Sequence, residues 1–176
     1  MHYYESKLRQ NNYLREEAVT YAITYALIPN PAYRYFPLHG DDTSGDCANF
    51  VSQCLRAGGA AFTFNPRNPW WYNSKNITYD TWSISWAVAH SLYWYLKVNN
   101  ELKLPGPKGM EVNSTVALEL GDVIFYENTK GVIFHSAIIT AFNNIPLVSH
   151  HSYEALNIPY TNSYQSYKMH FIKVYF

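Results

Sequence analysis

Three apolar runs in the second half of the chain, GDVIFYE (121–127), VIFHSAIITAF (132–142) and PLVSHHS (146–152), are separated only by the short loops NTKG and NNI. Runs this rich in Val, Ile and Phe read as strands, and connections this short leave no room for a crossover, so they must form an antiparallel meander. YKMHFIKVYF (167–176) is a further strand. The first half has a helical period instead. YLREEAVTYAITYALI (13–28) places Leu14, Ala18, Tyr21, Ala22 and Tyr25 on one stripe, with acids in the first turn and Pro29 and Pro31 beyond its end. A turn-rich loop, NPAYRYFPLHGDDTSG, leads to a second helix over 45–57. Ser44 or Asp46 can cap it, Phe50, Val51, Cys54 and Leu55 form its buried stripe, and Gly58 and Gly59 close it. SISWAVAHSLYWYLK (83–97) reads as a third helix, with Ile84, Val88, Ser91 or Leu92, and Tyr95 on one side, and PGPKG (105–109) is a breaker. Helices first and strands after specify an α+β domain, here 13–176, behind a short N-terminal extension, 1–12.

Composition narrows the function. With 176 residues, 48% apolar and 15% charged, the chain can bury a core without disulfides or metals. Thirteen basic and thirteen acidic residues cancel, and no basic stripe stands out, which argues against a nucleic-acid partner. No stretch approaches the ~20 apolar residues of a membrane span. The first residues, MHYYESKLRQNNYLREEA, contain no apolar core of a secretory signal. Aromatic residues reach 18%; the NPWWYN segment with Trp82 or Trp86 can either pack the core or line a groove that stacks on sugar or peptide.

Cys47 and Cys54 lie seven residues apart, roughly 10 Å along one helix face. A disulfide needs Cα atoms within ~7 Å, so neither a bridge nor a zinc site on these two is expected, and no metal or cofactor is called for. Cys54, inside the helix, reads as packing. Cys47 begins the helix, where free N–H groups and the dipole favour a thiolate, and Gly45 permits a tight turn beside it; it reads either as a nucleophile or as the first member of the apolar stripe. His135 sits in an apolar strand, where an imidazole must be hydrogen-bonded or at work. A base on a rigid strand beside a helix-mouth thiol is a Cys–His catalytic pair. His150 and His151 on the next strand are candidates to fix its tautomer, and strand alternation lets only one share its face. A hairpin loop of two or four residues selects His150, a loop of three or five selects His151, and Pro146 leaves the parity open.

GDCANFVSQCLRAGG, WWY, SISW, LELGDVIFYE, FHSAIIT and PLVSHHS together resemble an amidase domain family of Gram-positive bacteria, across about Tyr13 to Phe176. That family is placed in the papain-like cysteine hydrolase superfamily, with the NlpC-type and CHAP cell-wall hydrolases. The resemblance implies a papain-like fold, with the cysteine-bearing helix packed on a C-terminal antiparallel sheet. It implies hydrolysis of an amide, in peptidoglycan peptide or a related substrate, and an extracellular or cell-wall setting. It places the nucleophile on Cys47, the base on His135 and the third polar residue on His151, which precedes Ser152. Ala48 departs from the Thr often found there. In the implied mechanism His135 and Cys47 form a thiolate–imidazolium pair and the thiolate attacks the amide carbonyl. The Cys47 N–H, with Tyr33 or Tyr35, then meets the oxyanion. Asp46 reads as a cap, Asn49 as a nearby backbone partner, and Asp122 as a shaper of the strand start. Acyl transfer from the same site and a non-catalytic wall-binding module are the competing functions.

Overall fold

The expected meander forms the centre of a six-stranded antiparallel sheet in the computed structural model, which describes residues 12–40 and 45–176. Ser44 and nearly all of the N-terminal extension lie outside the described residues. The strands are β3 (Lys108–Val112), β4 (Val123–Glu127), β5 (Ile133–Asn143), β6 (Ile145–His150), β7 (Ala155–Pro159) and β8 (Lys168–Tyr175), in the spatial order β3-β8-β4-β5-β6-β7. A separate two-stranded ladder joins β1 (Tyr72–Asn73) to β2 (Thr81–Trp82). β4, β5 and β6 pair consecutively as their short loops require, and the C-terminal strand returns beside β4.

Helices α1 (Arg15–Tyr25) and α2 (Cys47–Ala57) cover one face. The predicted stripe of α2 holds: Phe50, Val51, Cys54 and Leu55 are fully buried. Burial in fact extends to every residue from Cys47 to Leu55, because α1, the sheet and Trp86 surround this helix. Val123, Phe125, Ile133 and Ile138 meet it from the sheet, whereas Ile124, Tyr126, Ala137, Ile139 and Val148 form a second cluster on the opposite face. Alternation along β4 and β5 divides the two sets. α1 buries Ala18, Val19 and Ala22, while Leu14 at the start of its predicted stripe is exposed. Arg15 ties α1 to the sheet, donating to Asp122 Oδ1 (2.8 Å) and to the Val174 carbonyl (2.7 Å). Asp122 also accepts the Glu119 and Val174 N–H groups, so it shapes the start of β4 as expected.

The single helix expected over 83–97 is two: α3 (Ile84–Ala87) and α4 (Ala89–Leu102). Val88 between them is extended, at φ −115° and ψ 123°. The cause lies in another helix. The buried Ser52 hydroxyl of α2 donates to the Trp86 carbonyl (2.8 Å), which a continuous helix would have used four residues on. The break leaves Ile84 exposed and moves the buried face of α4 to Ala89, Leu92, Tyr93, Tyr95, Leu96 and Asn99. Trp70 and Trp86 are fully buried in one aromatic cluster, so these two serve packing.

Candidate active site

Cys47 is the first residue of α2 and is 5% exposed. The turn before it is built by Gly45, at φ +110°. A Cβ there would stand 2.4 Å from Ser152 Oγ, so the position needs glycine both for its backbone and for the close approach. Ser152 Oγ in turn accepts the Asp46 N–H (2.8 Å), so the turn after β6 docks on the mouth of α2.

Asp46 occupies the cap position, but its carboxylate makes no hydrogen bond to the first-turn backbone of α2. Oδ1 accepts from the Phe36 N–H and the Asn49 side chain (2.9 and 2.8 Å), and Oδ2 pairs with His151 Nδ1 at 2.5 Å. Asn49 also donates to the Arg34 carbonyl and accepts from the Trp86 indole, the backbone role expected of it and one more. The other nitrogen of His151, Nε2, lies 2.8 Å from the Tyr25 carbonyl, and its ring stacks on Phe50 at 4.2 Å. Its two ring nitrogens thus face the Asp46 carboxylate and the Tyr25 carbonyl.

Burial pushes the Cys47 thiol up from its ordinary range, and the neighbouring Asp46 adds to the rise; the Ser136 backbone and hydroxyl, and then the Ala48 N–H, act against it. Desolvation is the largest of these influences. Burial likewise drives His135 well below its usual value, with His150 reinforcing the shift. Burial thus works against the charged form of each group.

His135 is 1% exposed and its Nε2 has no hydrogen-bond partner. In β5, Tyr126 pairs His135 in the same register in which Ile124 pairs Ala137, so strand alternation puts the His135 ring on the face of Tyr126 and Ala137, opposite α2; the bulge lies beyond, between His135 and Ile133. The next residue, Ser136, faces the thiol. Cys47 and His135 accordingly flank the same stretch of β5 but make no hydrogen bond to each other. His150 is the histidine brought against His135, edge-on with ring centroids 4.5 Å apart, and Tyr164 packs on His135 at 4.1 Å. His150 Nδ1 donates to the His151 carbonyl (3.1 Å), which leaves its Nε2 as a bare acceptor, also unpartnered. Burial lowers His150 to about 4. The parity is set by a register shift between Ile139 and Ala141, which restores the Ile138–Ser149 pairing and sends His150 to the face of His135. His151, one residue on, turns to Asp46 instead.

Both tyrosines considered for the oxyanion are engaged elsewhere. Tyr35 donates to Glu154 (2.6 Å), and Tyr33 packs between Tyr72 and Trp86. A residue outside the sequence reading, His90, lines a narrow cleft of about 40 Å³ with Gly45, Cys47, Val88, Ile133 and Phe134. Only the break at Val88, invisible in the helical period, brings it there. Among the described residues no cluster of His, Cys, Asp and Glu has the geometry of a metal site.

Residues 12–175 match the model of a family described as "Putative amidase domain". The chain belongs to this amidase-domain family. Two proteins of Bacillus subtilis (strain 168) are similar to it: uncharacterized protein YhbB, 36% identical over 84% of this chain and 44% of that protein, and uncharacterized protein YjcM, 36% identical over 81% of this chain and 31% of that protein. The chain thus spans less than half the length of either relative. No solved structure matches. Family membership points to an amidase-type hydrolase, on an α+β scaffold of helices packed against an antiparallel sheet.

Proposed function

We propose that this domain is a cysteine amide hydrolase of papain-like architecture, with Cys47 as nucleophile and His135 as base, acting on peptidoglycan peptide or a related amide. One observation carries the reading. A helix-mouth thiol borders a solvent cleft and rests on the strand residue next to a buried histidine whose Nε2 has no partner. A buried unpaired ring nitrogen costs about 1–3 kcal/mol, so its retention calls for a functional account.

The His135 ring lies on the face of β5 opposite the cysteine helix, so in this reading β5 rearranges near Ile133 as substrate fills the cleft and brings His135 to the thiol. His135 removes the thiol proton as sulfur attacks the amide carbonyl, so the ion pair forms during attack. His135 then protonates the leaving amine, and water releases the thioacyl enzyme. His150, edge-on to His135 with a bare Nε2, orients that ring, and His151 holds Asp46 and with it the mouth of α2. Digestion of purified peptidoglycan, followed by mass spectrometry, tests the reading. Wild type is expected to release fragments with a new carboxylate and a new amine, and Cys47→Ala to release none. Unchanged digestion by Cys47→Ala overturns the assignment, and an amine adduct in place of the free acid marks acyl transfer.

A further inference from the structure

The cleft at Cys47 is walled by the starts of two helices. α2 contributes the thiol, and α4 contributes Val88, Ala89 and His90. His90, the second residue of α4, is half-buried and bridges to the sheet: its Nδ1 accepts the Ile133 N–H at 3.1 Å. That bond fixes the neutral ring's tautomer. With the Nδ1 lone pair engaged by a donor, the proton resides on Nε2. No described residue accepts that proton, although His90 lines the same cleft as the thiol. A neutral donor, oriented by a backbone bond at the positive end of a 14-residue helix, suits the negative oxygen that develops when a thiolate adds to a carbonyl.

We propose that His90 is the side-chain oxyanion donor of this site, working with the backbone N–H of Cys47. The inference rests on the proposed cysteine mechanism, and His90, unlike Tyr33 and Tyr35, lines the cleft at the thiol. In the addition step a sulfur–carbon bond forms, the carbonyl π bond breaks, and its electron pair moves to oxygen. His90 Nε2–H donates to that oxygen without surrendering its proton, and the pair returns as the amine leaves.

His90 does two jobs with two nitrogens, and they can be separated by substitution. In His90→Asn the side-chain oxygen overlays Nδ1 and keeps the Ile133 anchor but loses the donor. In His90→Gln the amide nitrogen overlays Nε2 and keeps the donor but loses the anchor. Turnover of peptidoglycan fragments is measured for both, beside wild type and Cys47→Ala, with thermal melting as the control for folding. The expected result is an Asn variant that melts like wild type but has kcat reduced on the order of 100-fold with little change in KM, the loss typical of a missing oxyanion donor. The Gln variant recovers most of kcat and melts lower. An Asn variant of wild-type kcat overturns the proposal, as does a Gln variant no better than Asn when both are folded. Activity that survives Cys47→Ala instead overturns the underlying mechanism, so the two failures are distinct.

Discussion

His151 Nδ1 lies 2.5 Å from Asp46 Oδ2, both side chains 1% exposed, and this pair fastens the turn after β6 to the mouth of the cysteine helix. The two residues are 105 positions apart, so the contact closes most of the chain into one unit. Removing one partner leaves a buried polar atom of the other without its hydrogen bond, which typically costs about 1–3 kcal/mol. Asp46→Ala and His151→Ala are each expected to lose about that much in urea denaturation. The double variant should lose clearly less than the two losses added, because the atom left unpartnered by each single change is then removed as well. Additive losses would show that the pair does not couple. Both single variants should also lower amide hydrolysis, since Asp46 precedes Cys47 directly.

Acid should unfold the domain through His150. Its ordinary value of 6.5 falls to about 4 in the folded chain, chiefly through burial. Between those values the unfolded chain takes up a proton that the folded chain refuses, so stability falls as pH drops through this window. The shift corresponds to about 3 kcal/mol, and His135, shifted in the same direction, adds to the slope. Glu111, lowered to about 2, contributes stability above its ordinary value of 4.5 and loses it only as pH drops toward 2, so it acts in a different window. Melting temperature measured from pH 7 to pH 4 should therefore decline, and His150→Gln should flatten the decline. An unchanged slope in that variant would remove His150 as the cause.

The parts of this architecture that rest on local periodicity are visible in the sequence. The stripe Phe50–Val51–Cys54–Leu55, the glycine before Cys47 and the meander of β4, β5 and β6 follow from spacing and loop length alone. Features decided by a distant partner are not visible. The Ser52 hydroxyl breaks the helix at Val88, and that break carries His90 to the cleft. A register shift at Thr140, whose hydroxyl meets Ser149 and Asn157, chooses His150 over His151 for the face of His135. Asp46 reads naturally as a cap until His151 arrives from β6. β3 and β7 escape notice because KGMEV and ALNIP are short and hold few β-branched or aromatic residues.

The burial that raises the Cys47 thiol has a direct chemical consequence. A thiol raised by burial is a poor nucleophile toward small electrophiles at neutral pH, unlike a cysteine held as an ion pair. Iodoacetamide labelling, followed by peptide mass spectrometry, should be slow at pH 7 and climb beyond pH 9. Cys54, fully buried and raised further, should stay unlabelled in the folded chain. A flat, fast labelling profile below pH 7 would instead reveal a standing thiolate. Comparing the profile with that of His135→Ala shows whether the imidazole assists: loss of labelling near neutrality in the variant places the base within reach of the thiol.

Gly45 offers a sharper test of how the helix mouth is held. Its φ of +110° lies where side chains are strained, and an added Cβ would press on Ser152 Oγ at 2.4 Å and touch Leu38. Gly45→Ala should therefore lose about 2 kcal/mol or more, from backbone strain together with disruption of the Ser152–Asp46 bond. Ser152→Ala alone removes one buried hydrogen bond, worth about 1 kcal/mol. If the hydroxyl is the obstacle, the double variant Gly45→Ala/Ser152→Ala should be less destabilised than the sum of its parts, with the residue reporting pure strain at φ +110°. Full additivity would mean that backbone conformation alone demands glycine here. Hydrolysis should track the same order, because the displaced turn carries Asp46 and Cys47 with it.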